Sequence, residues 1–377
     1  MGKKRLILAG IIGRYPVGGV TWCALHYIAG FQRLGYEVFY LEDTGECGFD
    51  PITNGISTDP SYATRYIRQH LEIVGLENAW SYIDHTGRYH GKTRREVSAV
   101  CHRADLMVNL SGGCWFARPE YDALTKIFID TDPGFTQRNM VEDKSLCDFF
   151  SAYDAFFTFA LNVDRPDCTL AATPFKWHPT IQPLALEFWP VTLPPDQTAY
   201  TTIMSWRIDS FPGMGKGKQG ELLRMLNLPK KCRQRLKLAI AGHAPIELLS
   251  RHGWEIIDGI AASIDPFAYR SFIQASKAEL GFAKAMYVET HSGWFSDRTQ
   301  CYLATGRPAL VRDTGFSRIL PCGEGLLAFS NEQELLDGME EIERDYALHR
   351  RRAREIAEAH FSTEQVLRNL LQMAGLL

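Results

Sequence analysis

Four stretches of the chain carry residue types whose spacing suits chemistry. In Glu289-Thr-His-Ser-Gly-Trp-Phe-Ser-Asp-Arg-Thr-Gln-Cys-Tyr-Leu-Ala304, residues Ser292, Gly293, Trp294 and Phe295 read as a loop, Ser296 as an N-cap and Asp297–Ala304 as a short helix. Amide N–H groups gathered at a helix N-terminus attract anions, so a loop of this kind suits a diphosphate. Glu289 and His291 stand just before it. In Trp206-Arg207-Ile-Asp-Ser-Phe-Pro-Gly-Met-Gly-Lys216-Gly-Lys218-Gln219, cations and glycines alternate, but Gln219 stands where a phosphate-binding Walker loop needs Ser or Thr. The turn Gly13-Arg-Tyr-Pro-Val-Gly18-Gly19 has paired glycines that let backbone approach a ligand closely, yet its spacing is not that of a dinucleotide fingerprint. Asp130-Thr-Asp132 offers two carboxylates able to take a proton from a hydroxyl, with His26 a third candidate. The competing reading of Asp132-Pro133 is a turn opener, and Asp313-Thr314 also reads as a turn.

These stretches need elements that bring them together. Residues 6–12 form a continuous apolar run, as expected of a parallel strand covered on both faces. The glycine turn follows, then residues 20–34 carry Trp22, Leu25, Ile28, Ala29 and Phe31 at helical spacing, Gly35 stops the helix and 37–41 read as a strand. Strand, glycine loop, helix and strand in that order open a doubly wound α/β domain. Further strands are expected at 106–110, 126–129 and 155–159. Trp115 and the Asp130–Asp132 pair then fall just past strand ends, where open α/β sheets bind ligands. Consecutive prolines at 194 and 195 exclude a helix or central strand. The expected division is a domain over 1–188, a linker over 189–198, a second α/β domain over 199–360 and a C-terminal helix over 361–377 that either packs back on the first domain or stays on its own. In the second domain, strands are expected at 201–205, 236–241, 254–257, 278–282, 308–311 and 326–329, with one charged helix over 331–359. The capping pattern Ser362-Thr-Glu-Gln365 opens a last helix.

Composition bounds the function. A chain of 377 residues with 45% apolar and 23% charged residues is globular and long enough for two domains. A net charge of −3 lacks the basic surplus that displaces counterions from nucleic acid, which disfavours a nucleic-acid partner. Nine scattered cysteines, an odd number with no Cys-x-x-Cys, argue against a disulfide framework or a zinc site, and a reduced, cytoplasmic chain is expected. Lys3-Lys4-Arg5 is followed by only about seven apolar residues, so the start reads as a buried strand, not a signal peptide. No apolar run approaches the ~20 residues of a membrane span. His85 and His90 have no third ligand, so no metal is expected. Arg350, Arg351, Arg352 and Arg354 lie in a Glu-rich helix and read as a solvated face.

The exit Ala304-Thr-Gly-Arg-Pro-Ala-Leu-Val311 of the short helix resembles the donor-binding segment of GT-B glycosyltransferases, in which a helix ending in Ala-x-Gly-x-Pro-hydrophobic holds a nucleotide diphosphate. The glycine turn near the start, the mid-chain prolines and the C-terminal helix extend the likeness over the chain. It implies two Rossmann-like, doubly wound domains facing a cleft, and a hexosyltransferase-like enzyme that takes UDP-, TDP- or GDP-linked sugar as co-substrate, with no permanent cofactor and no metal. By the same likeness, Arg207 with Lys216 or Lys218 neutralises the leaving diphosphate beside residues 292–295. Glu289, His291, Asp297, Asp313 and Thr314 contact the donor. Gly13, Gly18 and Gly19 face the reacting centre, Trp115 meets a small-molecule or glycan acceptor, and Asp132, Asp130 or His26 is the base. Many members place a ribose-binding glutamate five residues before the motif glycine; here that position is Cys301, with Gln300 and Asp297 nearby. The alternatives are a nucleotide-sugar epimerase of the same fold and a non-catalytic, two-lobed protein binding a nucleotide or small ligand.

Overall fold

The computed structural model describes residues 4–116, 118–122, 124–194, 198–206 and 217–377. The chain forms two compact units, one made of Met1–Phe159, Leu170–Ala185 and Thr363–Leu377, the other of Ala160–Thr169 and Leu186–Ser362.

The strands of unit 1 are β1 (Arg5–Ala9), β2 (Glu37–Glu42), β3 (Gly48–Asp50), β4 (Gly55–Ser57), β5 (Trp80–Ile83), β6 (Tyr89–Gly91), β7 (Leu106–Leu110), β8 (Thr125–Asp130), β9 (Ala155–Thr158) and β10 (Trp177–Pro179). Eight of them make one sheet in the order β10-β9-β8-β7-β1-β2-β5-β6, and β3 and β4 pair separately as an antiparallel ribbon. Only β5 and β6 run antiparallel within the large sheet. The apolar runs of β1 and β7 are buried on both faces, as a parallel sheet covered by helices requires. Its helices are α1 (Gly18–Arg33), α2 (Ser61–Leu71), α3 (Arg94–Cys101), α4 (Phe135–Glu142) and α5 (Lys144–Phe150). Strand order reverses between β1 and β7. There a Cβ on Gly113 would stand 2.2 Å from the Gly10 nitrogen, so only glycine admits the approach of the two strand ends.

Unit 2 carries β11 (Tyr200–Trp206), β12 (Leu236–Gly242), β13 (Glu255–Asp258), β14 (Ala278–Gly281), β15 (Ala309–Arg312) and β16 (Leu326–Phe329), all parallel, in the order β13-β12-β11-β14-β15-β16. Its helices are α6 (Lys218–Arg224), α7 (Ile246–Arg251), α8 (Gly259–Ser263), α9 (Pro266–Gln274), α10 (Ala285–Glu289), α11 (Asp297–Ala304), α12 (Glu332–Arg344) and α13 (Tyr346–His360). Leu238, Ile240, Leu280, Leu310, Phe329, Leu335 and Met339 share its core, each such side chain contributing about 1.5–3 kcal/mol by burial. The single helix expected over 331–359 is two. Asp345 leaves helical geometry at φ −143° and accepts a hydrogen bond from the Leu348 amide at 3.0 Å, capping α13. The stretch from Leu186 is fastened to this unit: Trp189 is fully buried, and the Arg307 guanidinium donates to the Thr192 carbonyl at 2.6 Å.

The final helix, α14 (Thr363–Met373), belongs to unit 1, where it packs on α1. Arg33 donates to Thr363 Oγ1 at 3.0 Å, and Leu367 lies so close to Gly30 that a Cβ there would meet its Cδ1 at 2.5 Å. Among the described residues no helix is long and apolar enough to cross a membrane.

Candidate functional site

In unit 2 the order of strands reverses between β11 and β14, and the carboxyl ends flanking such a switch point are where open α/β sheets take ligands. Past β14, Phe282, Ala283 and Lys284 lead into α10, and the chain then turns through 290–296 into α11. Helix α11 spans the residues expected of it, starts after Ser296 and is followed by Gly306 at φ +69°. Its first turn has no side-chain cap from Ser296, which leaves the positive end of the helix to other partners.

Residues 292–296 are buried, and the amides of Ser292, Gly293 and Trp294 donate within the protein. The Ser292 amide donates to the Tyr287 carbonyl at 3.2 Å, Gly293 to the Thr314 carbonyl at 2.8 Å, and Trp294 to Ser292 Oγ at 3.3 Å. Phe295 packs its ring against Phe316 and Phe361. The amides of Ser292, Gly293 and Trp294, expected to face a diphosphate, are thus already engaged within the protein. The buried Thr314 hydroxyl donates to the Trp294 carbonyl at 2.7 Å. Asp313 closes its own turn, accepting from the Gly315 amide at 2.8 Å and the Ser317 hydroxyl at 2.7 Å. Asn162 ties these loops together, donating from Nδ2 to the carbonyls of His291 (3.0 Å) and Gly315 (3.1 Å) while its amide donates to Ser292 O at 3.0 Å. It carries no motif, so nothing in the sequence marks it.

Cations gather at the start of α11. Lys218, the first residue of α6, sets Nζ 5.4 Å from the centre of the Trp294 ring. That ring stacks on Tyr287 at 4.3 Å and 22°, and Lys284 stands 5.4 Å from the far partner. No carboxylate pairs with Lys218 among the described residues. Burial, then the positive charges of Arg298 and Lys284, push its ammonium down to about 7, against the opposing pull of Asp297 and Glu279. Arg298 is spent: it donates from Nε to Glu279 Oε1 at 2.7 Å and from Nη1 to the Ile203 carbonyl at 2.8 Å, a buried pair that fastens α11 to β14 and β11. Asp297 accepts from the Arg298 amide at 2.8 Å. Farther into the same helix the buried Thr299 Oγ1 and both ends of the Gln300 amide have no hydrogen-bond partner among the described residues. Buried polar groups left in this way call for a ligand or water. Cys301 is a buried thiol. Glu289 and His291 are exposed at the rim, His291 in the left-handed region at φ +48°. Arg207 and Lys216 lie outside the described residues. Lys284, which sequence reasoning missed, follows a strand end, the one mark that could have drawn attention to it.

Unit 1 presents its own strand ends. Gly18 and Gly19 are the first two residues of α1, not loop residues ahead of it, and no side chain caps that turn. Gly13 is buried against Ile67 and Tyr82. Asp132 is half-buried just past β8, its amide donating to Asp130 Oδ1 at 3.1 Å. Asp130 is almost wholly buried and its oxygens also accept from Thr136 Oγ1 (2.7 Å), Gln137 Nε2 (2.9 Å) and Thr158 Oγ1 (2.9 Å). Burial raises its carboxyl above the usual range, against those hydrogen bonds. His26 sits in the core, its Nδ1 accepting from the Ala185 amide at 3.1 Å, and burial holds its imidazole down at about 3. Both therefore leave the set of bases: Asp130 shapes the turn and His26 packs the core. Trp115 is 36% exposed, resting on Phe149, Phe128 and Phe150 at 5.4, 6.3 and 5.9 Å. Among the described residues no group of three or more His, Cys, Asp or Glu side chains is placed to hold a metal ion.

Residues 222–372 match the family model described as glycosyl transferase-like. No curated protein sequence matches the chain. Among solved structures the chain is similar to the sucrose-phosphate synthase of Thermosynechococcus elongatus, with 12% identity, 98% of each chain covered and a TM-score of 0.56. It is similar to HepE of Anabaena in complex with UDP and glucose, with 12% identity, full coverage of both chains and a TM-score of 0.58. It is also similar to an alpha-glucosyltransferase in complex with UDP and a 13-mer DNA containing a central A:G mismatch, with 10% identity, 99% of this chain and 100% of that one covered and a TM-score of 0.62. Likeness at this identity establishes the fold. The chain has the GT-B glycosyltransferase architecture that the exit of α11 implies.

Proposed function

We propose that the protein transfers a sugar from a nucleoside-diphosphate sugar to an acceptor hydroxyl, holding the donor on unit 2 and presenting the acceptor on unit 1. The observation that carries this is Lys218, an ammonium without a carboxylate partner among the described residues, partly buried over Trp294 at the start of α11, where Ser296 gives no side-chain cap. A buried cation of this kind costs stability until an anion joins it. The acceptor oxygen bonds to the anomeric carbon as the bond from that carbon to the diphosphate breaks. Lys218, Lys284 and the α11 dipole neutralise the departing charge in place of a metal, and Asp132 takes the hydroxyl proton. The unpartnered Gln300 amide supports a contact with the nucleoside where Cys301 cannot make one. Glu289 and His291 meet the donor from the rim, and Trp115 gives the acceptor an aromatic face. UDP is the first nucleotide to try, because HepE and the alpha-glucosyltransferase are complexes with UDP. The acceptor is a small molecule or glycan on the argument from net charge. DNA belongs in the acceptor panel because that alpha-glucosyltransferase is a complex with DNA.

The test is donor binding against pH. A nucleotide sugar, unlike a free phosphate monoester, has no phosphate that titrates near neutrality. The free protein's Lys218 loses its proton as pH rises through about 7, and a bound diphosphate restores it. Affinity for a UDP-, TDP- or GDP-sugar should therefore fall about tenfold over a pH unit above that midpoint. Thermal stabilisation by the ligand gives the readout. Lys218→Met should bind weakly and without this pH dependence. No stabilisation by any of the three donors, or equal binding by Lys218→Met, would overturn the assignment.

A further inference from the structure

Glu42 ends β2 and is fully buried, yet among the described residues it makes no ion pair. Its Oε2 accepts from the Gly13 amide at 2.7 Å and its Oε1 from the Arg14 amide at 2.6 Å. The Tyr40 hydroxyl donates to Oε2 at 2.9 Å and accepts from the Ile12 amide at 2.9 Å. Three successive amides of the glycine turn are thus gripped from β2. The other side of the turn is tied by the Phe49 amide, which donates to the Arg14 carbonyl at 2.8 Å. From this anchored point the backbone runs through Val17 into the uncapped first turn of α1 at Gly18.

We infer that Glu42 is a positioning residue for the glycine turn, its carboxylate fixing the Gly13 and Arg14 amides and with them the entry of the chain into α1 at Gly18 and Gly19. The role of the turn in transfer rests on the function proposed above; the grip itself does not. Both amides can only donate. A protonated carboxyl has one oxygen turned donor and must release one of them unless its proton goes to Tyr40. Burial pushes the Glu42 carboxyl up to about 7, with the hydrogen bonds from Gly13, Tyr40 and Arg14 and the charge of Arg14 pulling the other way. The groups facing it are Tyr40 on β2, Tyr82 on β5 and Arg14, itself paired with Glu46. The grip is complete above the midpoint and loosens below it.

Two readouts on the full chain separate the grip from the reaction. Amide resonances of Gly13 and Arg14, followed across about two pH units around the midpoint, should titrate together in the wild type and stay flat in Glu42→Gln. Wild-type resonances that do not move overturn the grip, whatever the protein catalyses. In transfer from a nucleotide sugar, Glu42→Gln should lower kcat about tenfold or more with donor affinity within about twofold, because displaced reacting groups cost rate more than binding. The wild-type kcat should fall on the acid side with a limb that Glu42→Gln lacks. An unchanged kcat in Glu42→Gln overturns the positioning role. Should that variant fail to fold, Tyr40→Phe serves: losing a hydrogen bond to the charged form should move the midpoint of both readouts to higher pH, and an unmoved midpoint counts against the inference. Absence of turnover with every donor, beside a normal amide titration, would fault the transferase reading and leave the grip standing.

Discussion

At the scale of single residues, the two carboxylates after β8 differ in what surrounds them. Asp130 accepts from three side chains and from the Asp132 amide. Asp130→Asn would turn one acceptor into a donor facing donors, and should cost about 1–3 kcal/mol of stability. Asp132→Asn leaves that network intact. It should lower kcat by about a hundredfold or more with donor binding and melting temperature near wild type. A fully active Asp132→Asn, or a stable but inactive Asp130→Asn, would reverse the assignment. The sequence put Asp132 before Asp130, but the physical ground for that order, the Gln137 and Thr158 side chains on Asp130, was not visible in it. The burial of His26 was more legible: with Trp22 and Ala29 it falls on the apolar stripe of α1 at helical spacing.

At the scale of elements, α11 begins and ends where capping and the Gly306 stop predict, because those rules are local. The direction of the preceding amides is not local. Their partners, Tyr287 and Thr314, and Asn162 beside them, converge only in the folded unit. Gly293 shows the consequence. It sits at φ +74°, and a Cβ there would stand 2.9 Å from Asn162. The left-handed backbone and the close neighbour both exclude a side chain. Gly293→Ala should therefore cost about 2 kcal/mol or more, read as a lowered urea midpoint. Loss of donor affinity should follow the loss of structure. A variant of normal stability with selectively weakened donor binding would return the loop to direct ligand contact.

At the scale of the molecule, the two parallel sheets were legible because strands buried on both faces write continuous apolar runs into the sequence. The antiparallel edge strand β6 and the short β10 were not, being three residues each and without such runs. The last helix lies between these cases. Its stripe of Val366, Leu367, Leu370 and Leu371 says that one face is covered but not by what. The chain answers by leaving unit 2 after Ser362 and completing unit 1, with Leu367 and Thr363 seated at Gly30 of α1. Those four buried side chains correspond to roughly 6–12 kcal/mol of burial as an upper bound, comparable to the whole stability of a typical domain. A chain ending at residue 362 should accordingly lose hydrogen-exchange protection in α1 and β1, far away in sequence. The amides of β14 and β15, nearer to it in the chain than α1 but built into the other core, should stay protected. Protection lost first in β14 and β15, or α1 protected as before, would mean that the helix serves the unit it follows.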